Sequence, residues 1–570
     1  MQGRRLTWVP AWLRTYDRRK AVQDGLAGMV VTMLLVPQSL AYAMLAGLPP
    51  HVGMYATILP LLAYAAFGSS MTLSVGPVAV ASLMTAAAIT PLALPGSQEY
   101  LVLAVLLALL GGGILLLLGV LRMGFVANLL SHPVISGFIT GSALLIALGQ
   151  LKPLLGIPAK GDTALELAAS LARHAAQLHL PTAALGAAAV LALWGARRYL
   201  ADFLARLGLG VGAAQLTAKL APMAVVVAAV LLVAVFDLDR AAGVAVVGSI
   251  PRGLPSPSVP VPTGEQIMTL FWPALLIALV GFVESVSVAQ SLAIRRGEHI
   301  DANAELRGLG AANLASAVAG GFPVTGGFAR SVVNFDAGAR TPLSGVVSAA
   351  LMGLVLLGMT GLFERLPLAV LAATILVAVL GLVDIATVRE AWRYDRADAL
   401  AWTGTALGVL SLGVEAGVAV GIALSIGTFL WRASRPHIAV LGRLPGTEHF
   451  RNVQRFAVET FPDVVLLRVD ENLFFANTAA VLDRIQAELQ RRPGTHSLVL
   501  VLSSVSHIDL TAVEALERLQ RELSGRGVRL YLAEVKGPVL DRLKHAGRLR
   551  SLLDGHFVSV QDAVRALHPA

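Results

Sequence analysis

Residues 320–341 read GGFPVTGGFARSVVNFDAGART and place Arg330 three positions after Gly327, in a chain that otherwise looks built for lipid. A guanidinium offers five N–H donors and keeps its charge at any physiological pH, so it suits capture of an anion rather than proton transfer. A helix start adds unpaired backbone N–H groups and a partial positive charge, and Arg330 falls in the first turn of the helix predicted after the glycine pair. An ionisable residue at membrane depth is costly and marks a functional candidate. The structural alternatives are snorkelling to an interface and pairing with Asp336.

A second stretch of the same kind is SVGPVAVASLMTAAAI, entered through Gly76 and Pro77. Each apolar piece is too short to span; glycine lets the chain unwind and proline suits a first helical turn, so both read as half-helices preceded by extended chain. Two such starts facing each other would double the attraction for an anion. Gln38 and Tyr42 in PQSLAYA share one helical face with Ser39 beside them, and could complete a neutral hydrogen-bonding wall or serve helix contacts. Ser74 and Thr85 are further hydroxyls around the first half-helix. Glu284, with Ser287 and Ser291 on its face, is an acid among apolar residues. Burial favours the protonated carboxyl, so Glu284 reads either as a proton-coupling group or as a fixed partner for Arg330.

The elements that must position these residues follow from composition. Of 570 residues 56% are hydrophobic and 14% charged, with a mean hydropathy of +0.73, whereas soluble domains carry about 25% charged residues. From residue 21 to 121 there is no Lys or Arg, and Asp24 and Glu99 are the only acids, which implies several membrane helices. The net charge of +9 lies at the N-terminus, in connections and in the tail without interleaved aromatics, which argues against nucleic-acid binding. There is no cysteine, so disulfides and thiolate metal sites are excluded. No HExxH, phosphate loop or nucleophile–base grouping stands out, so neither an enzyme nor an ATP-driven pump is expected, and no metal or cofactor.

Residues 1–20 hold Arg4, Arg5, Arg14, Arg18, Arg19 and Lys20 and are expected to stay in the cytoplasm. Long apolar runs fall near 23–43, 50–67, 99–121, 133–151, 182–200, 217–236, 267–291, 341–361, 367–384, 397–412 and 414–432. Shorter ones at 77–90, 306–319 and 328–338 bring the total to about fourteen elements on a spanning length of ~20 residues. A transmembrane domain over 21–432, in halves of about 21–238 and 265–432 with comparable breaks, points to a transporter built from inverted repeats. Gly417 and Gly421 form a GxxxG pair for close helix packing, inside one subunit or at a dimer seam. After Trp431 comes a polar exit segment, then a soluble α/β domain within 433–570, with strands at 464–469, 497–502 and 528–532 and helices at 479–490 and 511–522.

Taken together, PQSLAYA (37–43), SVGPVAVASL (74–83), GSIPRGLPSP (248–257), the Glu284 helix with ANAELRGLGAANLASAVAGGFPVTGGFARS (302–331), and RPHIAVLGRLPGT (435–447) resemble the SulP family of sulfate permeases, and IDLTA (508–512) with KGPV (536–539) resembles a STAS domain. The resemblance implies a fourteen-segment, 7+7 inverted-repeat fold shared with uracil permeases, divided into core and gate subdomains. It also implies a homodimer in the cell (inner) membrane, with the N-terminus and STAS domain cytoplasmic, moving by an elevator-like mechanism. Its anion pocket maps to Gln38, Tyr42, Gly76, Pro77, Val78, Ala329, Arg330 and Ser331, and its coupling acid to Glu284. Sodium-coupled bicarbonate members place a hydroxyl residue one turn after their acid; Val288 stands here, which favours protons. In the STAS domain Thr511 occupies the place of a phosphorylatable serine, while Asp509 and Thr511 also fit a helix N-terminal cap.

The expected function is proton-coupled uptake of a small inorganic anion, sulfate first. Bicarbonate, chloride or a dicarboxylate such as fumarate, or anion exchange, remains open on the same fold. From a different class, the chain could be a membrane-tethered scaffold whose STAS domain binds a cytosolic partner.

Overall fold

The computed structural model describes residues 12–13, 16–128, 131–161, 163–255, 257, 259–545 and 555–569. The chain forms two compact units, Met1–Ser425 and Ile426–Ala570.

The first unit is helical apart from two short strands. Its elements in order are α1 (Arg18–Leu45), α2 (Pro50–Phe67), β1 (Val75–Gly76), α3 (Ala79–Ile89), α4 (Gln98–Val120), α5 (His132–Leu155), α6 (Ala164–Arg173), α7 (Leu180–Gly195), α8 (Ala201–Arg206), α9 (Val211–Lys219), α10 (Ala221–Phe236) and α11 (Leu238–Ala241). The second half brings α12 (Gly264–Ile294), α13 (Ala302–Val318), β2 (Thr325–Gly326), α14 (Phe328–Asp336), α15 (Leu343–Gly358), α16 (Leu368–Leu380), α17 (Ile385–Tyr394), α18 (Arg396–Leu412) and α19 (Val414–Ala433), whose residues from Ile426 on are counted with the second unit. Among the described residues eight helices are long and apolar enough to cross a membrane, and a ninth arises if α9 and α10, bent by 46°, count as one span. The predicted run at 217–236 is therefore broken, with Pro222 in the first turn of α10. The run at 182–200 ends differently: α7 passes through a π-helical turn, Ala196–Leu200, into α8.

Two groups of helices emerge from the packing. In one, α13 lies between α2 and α4, α1 lies on α15 and α2, and α12 lies on α4. In the other, α5 packs on α18 and α16, and α16 on α7, with α10 alongside. The scheme repeats between the halves, because the α1–α15 contact corresponds to α12–α4 and the α5–α18 contact to α16–α7. Contacts between the groups run chiefly through α1, which touches α16 and α10. The GxxxG pair packs inside the chain: a Cβ at Gly417 would meet the Val409 backbone at 2.5 Å and one at Gly421 would meet Thr405 at 2.9 Å.

The second unit is α/β. Six strands, β3 (Ile438–Arg443), β4 (Phe450–Asn452), β5 (Val464–Val469), β6 (Ser497–Val501), β7 (Arg529–Ala533) and β8 (His556–Phe557), form one sheet in the order β4-β3-β5-β6-β7-β8. β5 to β8 run parallel, and β3 is antiparallel to β5 and to β4. The central strands are buried along almost their whole length, as parallel strands covered by helices must be. Part of the stretch expected as a polar exit segment is thus sheet: Ala439, Val440 and Leu441 are buried between more polar neighbours. The helices include α20 (Thr478–Arg491) and α21 (Leu510–Gly525).

Candidate functional site

The two short strands put the two chain breaks against each other. β1 and β2 pair antiparallel, Val75 opposite Gly326 and Gly76 opposite Thr325, so α3 and α14 start from opposite ends of one ladder. The Gly327 N–H donates to Ser74 O at 3.0 Å and extends the pairing. A ladder this short is not self-supporting, and buried side chains bolt it down. Asn313 bonds both the N–H and the C=O of Val324 at 3.0 and 2.9 Å, and Ser316 donates to Phe322 O at 2.7 Å. Ser285 accepts from Gly326 N at 2.8 Å, and Ser331 accepts from Ser74 N at 2.9 Å. Irregular backbone inside a membrane protein needs such partners, because lipid offers none.

Neither half-helix has a side-chain cap: Val78 precedes α3 and Gly327 precedes α14, and neither bonds the first turn. Some other helices carry side-chain caps, with Ser97 on α4, Asp395 on α18 and a capping box of Thr263 and Gln266 on α12, while others such as α2, α5 and α16 start without one. The first-turn N–H groups of α3 and α14 therefore remain available as donors.

Arg330 sits between these starts. It is 2% exposed, which excludes snorkelling, and its Nη1 donates to Pro77 O, the residue before the α3 cap, at 2.7 Å. Its Nε and Nη2 are buried without a protein partner. Asp336 does not serve it, since that carboxylate pairs with Lys219 instead. Glu284 and Tyr42 are within electrostatic reach of Arg330, but no ion pair within 4 Å joins Glu284 to it. A buried cation with spare donors beside two uncapped helix starts can bind an anion through charge, guanidinium N–H and backbone N–H together.

The predicted residues divide into layers. Gln38, Tyr42 and Ala329 line a cavity of about 440 Å³ between the two helix groups. Gly76, Pro77, Arg330 and Ser331 are outside that lining and are tied to one another through the ladder and its hydrogen bonds, and Val78 is the residue before α3. Ser39 is fully buried and bonds its own helix at Val36 O, and Thr85 likewise bonds Ala81 O. Glu284 faces elsewhere, onto a cavity of about 20 Å³ lined by Phe138 and Ile139 of α5, Thr405 of α18 and Val418 of α19. Sequence reasoning passed over Arg197, Gln215 and Lys219, which line the far end of the large cavity. They lie on the π turn and on short α9, where no apolar period drew notice. No group of metal-ligating side chains occurs among the described residues.

In the α/β unit Asp509 caps α21, accepting from Ala512 N at 2.8 Å and also from Phe475 N at 2.8 Å. Thr511 is exposed in the first turn. Asp470 illustrates the sheet's surface: burial raises its carboxyl, but the bonds from Arg468 and His437 outweigh that and hold it below the ordinary carboxylate range.

A polytopic helical domain that meets two broken helices at a buried cation, beside a cavity between two helix groups, is the architecture of a membrane transporter. Residues 22–405 match the sulfate permease family, and residues 455–563 match the STAS domain. A probable sulfate transporter of Mycobacterium tuberculosis is 38% identical over 570 residues, covering 98% of each chain. The chloroplastic sulfate transporter 4.1 of Arabidopsis thaliana is 35% identical, covering 97% of this chain and 81% of its own. The chain belongs to the sulfate permease family and is a multi-pass transporter with a C-terminal STAS domain, not an enzyme. Among solved structures, the murine anion transporter Slc26a9 in its inward-facing state superposes with a TM-score of 0.87 at 23% identity, covering 98% of this chain and 93% of its own. The transmembrane domain of the cyanobacterial bicarbonate transporter BicA gives 0.60 at 22% identity over 72% of this chain. At those identities the likeness describes the fold.

Proposed function

We propose that this chain takes up sulfate by secondary active transport coupled to protons. The observation that carries the anion reading is Arg330, nearly fully buried with two unpartnered donor groups beside two uncapped helix starts. Sulfate is preferred among anions because the full-length relatives carry that name. A tetrahedral dianion also has four oxygens to meet donors arriving from the guanidinium and from both half-helices. Gln38 and Tyr42 supply the neutral wall on the cavity side, and Ala329 and Ser331 flank the cation.

Glu284 is assigned the proton. It faces apolar side chains of α5 and α19 and Thr405 of α18 and is unpaired with Arg330, so its protonation can respond to the anion's arrival through space rather than through a fixed bond. Val288 in place of a hydroxyl residue removes a sodium ligand. The repeated packing of the halves supports a 7+7 inverted repeat of fourteen segments, with the α1–α4 and α12–α15 group as an elevator-like core and the α5, α7, α16 and α18 group as gate. We assign the transporter domain to 21–432 and the STAS domain to 433–570, and place the protein as a homodimer in the cell membrane with both ends cytoplasmic.

In proteoliposomes, labelled sulfate uptake should accelerate with an inward proton gradient, and Glu284→Gln should remove the acceleration while leaving sulfate binding. Full proton drive in that variant would sink the coupling assignment. A competition panel of bicarbonate, chloride and fumarate against sulfate ranks the anions on the same preparation.

A further inference from the structure

An acid in the last turn of a helix opposes the helix dipole, so its presence there calls for a cation. α14 ends on Asp336, and two cations converge on that end from different directions. Arg296, just past α12, stacks 4.2 Å from the Phe335 ring centroid and donates to Ala339 O at 2.6 Å. Because α12 packs on α14 within one helix group, this contact travels with the half-helix. Lys219 is different. It ends α9, joined directly to α10 of the other group, and it is ion-paired with Asp336. The pair crosses the boundary between the groups at the rim of the 440 Å³ cavity, whose lining includes Lys219.

We propose that Lys219 and Asp336 form an ionic latch that holds the two helix groups in the arrangement containing this cavity and must part before one group moves past the other. The inference rests on the reading of the two groups as moving bodies. Both side chains are about a third exposed, 32% and 39%, so the latch is weak enough to open in each cycle. A pair of this exposure shifts a two-state equilibrium by roughly two- to fivefold.

The chain has no cysteine, which makes a single introduced thiol a clean reporter. In an Ala378→Cys background, with the thiol on the cavity wall, the labelling rate of the purified full-length protein by a polar maleimide reads how often the cavity is present. Lys219→Gln and Asp336→Asn should each slow labelling roughly two- to fivefold. Lys219→Arg should keep the parental rate, and the charge swap Lys219→Asp with Asp336→Lys should restore it, which a merely local packing role would not do. Unchanged or faster labelling in the single variants, or a swap that labels like them, overturns the latch. Labelling needs no transport, so absence of sulfate uptake by the parent would refute the proposed function and leave this test decisive on its own.

Discussion

The starts of α3 and α14 are alike in backbone and unlike in side chains. Both follow one strand of the same two-stranded ladder, and both lack a cap. The α3 start, Ala79-Val80-Ala81-Ser82, brings no charge and a buried serine hydroxyl without a partner, whereas the α14 start brings Arg330 and, at the position matching Ser82, Ser331, and both of these reach back across the ladder to residues 74 and 77. One half-helix therefore supplies a preformed dipole, and the other supplies a dipole, the full charge and the bond that fixes their separation. A repeated scaffold needs its cation only once, because a second buried guanidinium a few ångströms away would repel the first.

This asymmetry can be broken most severely at Arg330. Arg330→Ala should cut sulfate binding about 30-fold or more, the scale of losing one member of a buried charged pair. Arg330→Lys should recover only part of it, since the ammonium lacks the planar fork. Next is the contrast between the paired glycines. A Cβ at Gly327 would stand 2.9 Å from Arg330 Nη2, while one at Gly76 would stand 3.4 Å from Nη1. Gly327→Ala should therefore lower affinity about tenfold by crowding the guanidinium, and Gly76→Ala should cost about twofold or less; equal losses would mean that the site is symmetric after all. Ser331→Ala leaves the buried Ser74 N–H unpaired, at about 1–3 kcal/mol. A lowered thermal midpoint, rescued by Ser331→Thr, checks it. Smallest is Tyr42→Phe, which removes one wall hydroxyl and should weaken binding about threefold.

How much of this was legible in the sequence depends on whether a signal was local. The glycine-led breaks and Arg330 stand out because charge and glycine are rare in apolar runs, and the α/β strands read clearly because buried parallel strands are continuous apolar runs. The bolts did not read. Asn313, Ser316 and Ser285 look like ordinary small polar residues on helices, and only the fold shows that their partners are the irregular residues 322–326. The alternative of an Arg330–Asp336 pair fails because six positions along a helix place two side chains on different faces, leaving Asp336 to Lys219. The polar segment after Trp431 concealed β3, since its few apolar residues are flanked by Arg, His and Gly.

The central claim is that an anion bridges the two helix starts through Arg330. Selenate, a sulfate analogue with an anomalous scatterer, locates it directly when the protein is crystallised with the ion. The account predicts one anomalous peak between residues 76–78 and 329–331, within hydrogen-bond reach of the Arg330 Nε and Nη2 donors, and its loss in Arg330→Ala. A selenate peak confined to the Arg197 and Lys219 end of the cavity, unchanged in Arg330→Ala, would contradict it.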